Sequence, residues 1–153
     1  IYNSASRPAL LYQQVTHAYY PLDVDKMIEA AKKFEGTHNF ESFRASSCQS
    51  KQPVRHVSHC RLIRHGRYLV LDIQADGFLH HMVRNIMGTL FEIGRGEKPV
   101  AWIEALLLSK NRSLAAATAA ADGLYFINAL YPPQFQSLLP VTRLSPIWLN
   151  LAE

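Results

Sequence analysis

Apolar residues at Leu79, Met82, Val83, Ile86, Leu90 and Ile93 recur at the spacing of one helical face and predict a helix over 78–94, ended by Gly94 or Gly96. Upstream, Met27, Ile28, Ala31 and Phe34 mark a second helical face that opens at Pro21-Leu22-Asp23 and runs to Gly36, with Asp23 as N-cap. Pro99 opens a third, with Trp102, Ile103, Leu106 and Leu107 turned inward. Between the first two the period changes. Residues 54–64 alternate loosely, His65-Gly66-Arg67 reads as a turn, and 67–76 carries Leu69, Leu71 and Ile73 on one side, so the two runs form a hairpin. GLYFINALYP at 123–132 predicts a further strand, stopped by Pro132-Pro133. Residues 7–20, 37–50 and the proline-punctuated tail show no clear period. Antiparallel strands with helices packed on one face give an α+β fold with a mixed or antiparallel sheet, in one domain over 1–153.

One residue disturbs the pattern of the 78–94 helix. Arg84 points away from the apolar stripe, yet its own side carries His81, Met87, Gly88 and Phe91 rather than Lys and Glu. Its neighbours at three and four residues are His80, His81, Met87 and Gly88, so the helix offers no carboxylate to pair it. A guanidinium keeps its proton, and in a covered place it needs an anion to offset desolvation. That anion comes from another segment, another chain or a phosphate; otherwise Arg84 snorkels to water at the helix edge. Gly88, one turn on, leaves room beside it.

Charge adds a mild bias. The 153 residues carry a net charge of +4 and a pI near 9.2, a weak pointer to polyanions. Between Arg44 and Arg95 there are eight Arg or Lys against three acids, which concentrates the excess around the motif-bearing middle. Phe40, Phe43 and Tyr68, beside Arg44 and Arg67, are either stacking platforms for bases or core plugs. At 48% hydrophobic residues and 18% charged, the chain is globular. Cys48 and Cys60 do not make a disulfide framework and point to a reduced, cytoplasmic setting; no apolar run approaches membrane-span length.

For a metal, the one tight cluster is His56-x-x-His59-Cys60, and strand alternation puts His56 and Cys60 on one side with His59 on the other. It has no second pair at zinc-finger spacing. GRGEKP at 94–99 lacks the strand-turn-helix context of a phosphate loop. The expectation is therefore no metal and no nucleotide fingerprint.

NFESFRASSCQS, RHGRYLVLDIQADGFLHHMVRNIMGTLFEIGRG and ATAAADGLYFINALYP, in that order, resemble the tRNA pseudouridine synthase A family over roughly Ile1 to Pro132, with GFLHHMVRNIMGTL the most specific block. The resemblance implies an isomerase of the pseudouridine synthase fold. It would convert uridine to pseudouridine in the tRNA anticodon stem-loop, at tRNA positions 38–40, as a cytoplasmic homodimer without metal or organic cofactor. It implies that Arg84 pairs a catalytic aspartate. That aspartate lies in an N-terminal half, in a segment like GRTDAGVHA, which does not occur in this sequence. The expectation is a C-terminal half that is inactive alone. Phe78, Leu79 and His81 are expected to line the pocket, and Arg44, Lys51, Arg55, Arg64 and Arg67 to contact phosphates. The alternative is a non-catalytic RNA-binding module.

Overall fold

A computed structural model describes residues 1–132 and 134. They divide into a compact unit, Ile1–Gly123, and a second unit from Leu124 onward. The proline-punctuated tail from Pro133 falls, apart from Gln134, outside the described residues.

The first unit is an α+β fold. Its five-stranded mixed sheet contains β1 (Tyr2–Asn3), β2 (His17–Ala18), β3 (Gly36–Asn39), β4 (Val54–His65) and β5 (Tyr68–Ala75), in the spatial order β2-β1-β5-β4-β3. Only the short β1–β2 pair is parallel. The β4–β5 hairpin turns at Gly66-Arg67, where Gly66 takes φ +58°, a conformation that favours glycine. β3 spans Gly36, where the sequence pattern ends the first predicted helix, and the first three residues of the run 37–50, which shows no clear period. Its residues, Gly-Thr-His-Asn, carry no apolar alternation, and it forms because the edge of β4 supplies its hydrogen-bond partners from Gly36↔Val57 to Asn39↔Val54.

Helix α1 (Val24–Lys32) starts where expected: Asp23 Oδ1 accepts from the Lys26 N–H at 3.2 Å. It buries Met27, Ala30 and Ala31 and lies across β4 and against α2 (Met82–Gly94). α3 (Trp102–Ser109) buries Ile103 and Leu106, with Trp102 and Leu107 half-buried. α2 begins four residues later than its apolar stripe suggests. His81 sits at φ +61°, which breaks the helical path, and the turn before it still delivers Leu79 into the core at 3% exposure.

Phe34, Phe40 and Phe43 are fully buried and meet one another, Phe34 and Phe43 edge-on with ring centroids 5.1 Å apart. Phe40 and Phe43 are thus core residues and not stacking platforms. Tyr68 stays half-buried on the sheet beside Tyr2.

Two local expectations are corrected. A register shift between Val57 and His59 bulges β4, so Val57 and Cys60 both face the core while His56 stays exposed. His56 and Cys60 therefore do not share a side. Residues 124–132 form no strand, and Leu124, Phe126 and Leu130 are exposed. An apolar run alone does not make a strand, because its backbone N–H and C=O groups need a neighbouring strand to complete their hydrogen bonds.

Candidate functional site

Arg84 lies in the first turn of α2, half-buried. The run 115–119 crosses the helix at this point. Arg84 Nε donates to the Ala119 carbonyl at 2.8 Å, and the Ala119 N–H donates back to the Arg84 carbonyl at 3.2 Å. The room left by Gly88 is taken by the same run, since a Cβ there would stand 2.0 Å from the Ala117 carbonyl oxygen. One side of the guanidinium is therefore fixed to backbone. Among the described residues no carboxylate forms an ion pair with it. The positive end of the α2 dipole adds to its field, so the place favours an anion.

The approach to α2 is tied to the loop 44–52. The Ala45 N–H donates to the His80 carbonyl at 3.0 Å, Ser47 Oγ meets His80 Nδ1 at 3.0 Å, and the His80 N–H donates to Cys48 Sγ at 3.3 Å. The His80 and His81 rings lie 4.0 Å apart between centroids. Partial burial, then His80 and Arg84, hold the His81 imidazole below its ordinary value, which favours the neutral ring near pH 7. Phe78 is 43% exposed at this end of the sheet.

The structure divides the expected residues. His81 stands at the N-cap of α2 and Arg84 in its first turn, Phe78 lies exposed in the segment before them, and Leu79 is buried in the core. Arg44 is held by Glu41 at 3.1 Å and by the Cys48 carbonyl at 3.2 Å. Arg55 clamps the Gln52 and Val54 carbonyls and Ser50 Oγ. Lys51 is exposed on the same loop. Arg64 donates to the Gly66 carbonyl and Arg67 to Tyr2 Oη, so both belong to the hairpin turn. The eight residues of β5 separate that turn from the α2 end by about 25 Å at ~3.3 Å per residue.

Sequence reasoning misses a polar cluster behind Arg84. Asn85 is fully buried; its Oδ1 accepts from Thr118 Oγ1 at 2.7 Å and Arg112 Nη2 at 3.1 Å, and its Nδ2 donates to the Phe43 carbonyl at 2.7 Å. Arg112 Nη2 also reaches Thr118 Oγ1 at 3.2 Å. The available signal is Asn85 itself, an amide within an otherwise apolar helix. Arg112 also lines an open cleft of about 350 Å³ with Glu41, Arg44, Ala45, Ser46, Lys110 and Asn111. Among the described residues no group of His, Cys, Asp and Glu side chains is arranged to hold a metal ion.

A family model described as tRNA pseudouridine synthase matches residues 30–132. This chain belongs to the tRNA pseudouridine synthase family. The tRNA pseudouridine synthase A of Acinetobacter baylyi is 65% identical over 153 residues, covering all of this chain and 56% of that protein. That of Acinetobacter baumannii strain ACICU is 65% identical, covering all of this chain and 57% of its own length. That of an Enterobacter species is 50% identical over 149 residues, or 97% of this chain and 54% of the relative. The chain thus spans about half the length of the curated relatives it matches. The pseudouridine synthase match contains α2 with Arg84, the loop 44–52 and the run 112–119, so the whole neighbourhood of Arg84 lies inside the family's matched region.

Proposed function

We propose that this chain supplies one half of the active centre of a tRNA pseudouridine synthase, which isomerises uridine to pseudouridine in the anticodon stem-loop at tRNA positions 38–40. The observation that carries the reading is Arg84: half-buried, anchored through Nε to the Ala119 carbonyl, and without a carboxylate partner among the described residues. Its counter-ion is a catalytic aspartate carried by an upstream half, and the chain alone is inactive. The working protein is a cytoplasmic homodimer, and the reaction requires neither metal nor organic cofactor.

The aspartate acts by attack or by proton abstraction, so that the C1′–N1 bond of the uridine breaks. The base turns, C5 bonds to C1′, C5 gives up its proton and N1 gains one. The target base first leaves the stack, at a cost of a few kcal/mol. Arg84 contributes by keeping the carboxylate ionised and oriented through charge-assisted hydrogen bonds. Phe78 and a neutral His81 flank the flipped base, and Leu79 supports them from the core. Lys51 is the phosphate contact open to RNA on the loop. Arg44 and Arg55 reach phosphates only by sharing or exchanging their present partners. Arg64 and Arg67 meet a separate part of the RNA, about 25 Å from the chemistry.

The test is Arg84→Ala in a chain extended upstream to the length of its relatives. Release of tritium from uracil C5 of a labelled anticodon stem-loop should fall at least about a hundredfold, as for loss of a group aligning the reacting carboxylate. RNA affinity should stay within about threefold, since one phosphate-distant cation contributes little to the salt-dependent binding term. Undiminished turnover would remove Arg84 from the chemistry and leave an RNA-binding module.

A further inference from the structure

We infer that Asn85, Thr118 and Arg112 form a register lock that positions Arg84, and that their hydrogen-bond network is required for its alignment in the reaction. The catalytic consequence rests on the function proposed above; the positioning does not. Arg84 is aimed by a backbone carbonyl, that of Ala119, which lies 35 residues further along the chain. The run bearing that carbonyl holds Ala115, Ala116, Ala117 and Ala119, with Thr118 alone carrying a hydroxyl. Small apolar side chains distinguish one register on a helix surface poorly from the next. A slip of one residue would displace the Ala119 carbonyl and N–H by about 3.3 Å, beyond reach of Arg84.

The polar trio removes that freedom. Asn85 Oδ1 accepts from both Thr118 Oγ1 and Arg112 Nη2, while Asn85 Nδ2 donates to the Phe43 carbonyl. Every polar atom of this fully buried amide is used, and only one orientation of the amide satisfies donors and acceptors together. Arg112 Nη1 reaches the Ala115 carbonyl at 3.4 Å, so the network grips the run at 115 and 118, immediately before the residue that holds Arg84. Gly88 sets the depth of the crossing, and the trio sets its register. Asn85 is adjacent in sequence to Arg84, so the carbonyl that aims Arg84 is indexed to the same turn of the helix. A satisfied buried network of this kind specifies one geometry where apolar packing would accept several.

The decisive variant is Thr118→Val, which keeps the shape and removes the hydroxyl; Thr118→Ser restores it. In the 153-residue chain, solvent exchange of the Arg84 Nε–H, followed by ¹⁵N NMR, should accelerate at least about tenfold in Thr118→Val, as for a lost protecting bond, and return in Thr118→Ser. In the upstream-extended chain, kcat should fall about tenfold or more with KM little changed, as for a small misplacement of a reacting group, and Thr118→Ser should recover it. Unchanged Nε–H exchange in Thr118→Val would overturn the lock. A fall in kcat not recovered by Thr118→Ser would overturn its catalytic role. If Thr118→Val does not fold, Arg112→Lys carries the same test, because it keeps the charge and loses the fork. Absence of turnover in the unsubstituted extended chain would defeat the proposed function, while the exchange measurement would still decide the positioning.

Discussion

At Gly88 the difference between a hydrogen and a methyl decides whether the run 115–119 can reach Arg84. In an exposed helix interior, Gly→Ala gains about 1 kcal/mol. Here the new methyl would meet backbone, the Ala117 carbonyl oxygen, at 2.0 Å, and backbone cannot rotate aside. Gly88→Ala should therefore destabilise by about 1–3 kcal/mol in denaturant unfolding, as overpacking does. Gly94→Ala should cost less, since its new methyl meets the movable ends of Met27 and Leu22. The cysteines separate just as sharply. Burial first, then the Glu35 and Asp72 carboxylates, push the Cys60 thiol up to about 12. The His80 backbone N–H, with Ser50 and Arg44 nearby, holds the half-buried Cys48 thiol below its ordinary value. Because the thiolate is the nucleophile, iodoacetamide should modify Cys48 in the native protein, at lower pH than a free thiol needs, and Cys60 only on unfolding. Peptide mapping checks this. At this scale the sequence discloses Arg84's lack of a local partner, because positions three and four residues away are read directly. It does not disclose the Ala119 carbonyl, a backbone contact 35 residues distant.

Elements are legible where one period dominates. The stripe of α2, the Asp23 cap of α1 and the β4–β5 hairpin all follow from local spacing. The exceptions have physical causes. His81 at φ +61° delays α2, the bulge at 57–59 turns Cys60 inward, and β3 is recruited by an open strand edge. The run 124–132 is apolar and stopped by prolines as a buried strand would be, yet it takes no strand conformation. Phe43 shows what placement changes. It sits on the 3-10 turn 41–43, meets Phe34 and Phe40, and its carbonyl accepts from Asn85. Phe43→Ala should cost about 3–5 kcal/mol, as for a buried aromatic. Phe78→Ala, at a 43% exposed position, should stay within about 0.5 kcal/mol. Thermal or urea denaturation of the two variants distinguishes core from surface directly.

For the molecule as a whole, the basic middle is not one surface. The cations of the hairpin turn and those of the loop 44–52 lie at opposite ends of β5, and only the second group adjoins α2. Composition reveals the excess charge but not its division, because strand length sets the separation. The family, shown by the match over 30–132, is written most clearly in GFLHHMVRNIMGTL, the block that also carries Arg84. In the proposed function, Arg84 is held ready for a carboxylate from a segment upstream. The most direct measurement is tritium release from an anticodon stem-loop labelled at uracil C5, made with the 153-residue chain and with the chain extended upstream to its relatives' length. No release is expected from the first and sustained turnover from the second. Release by the 153-residue chain alone, or none by either, would contradict it.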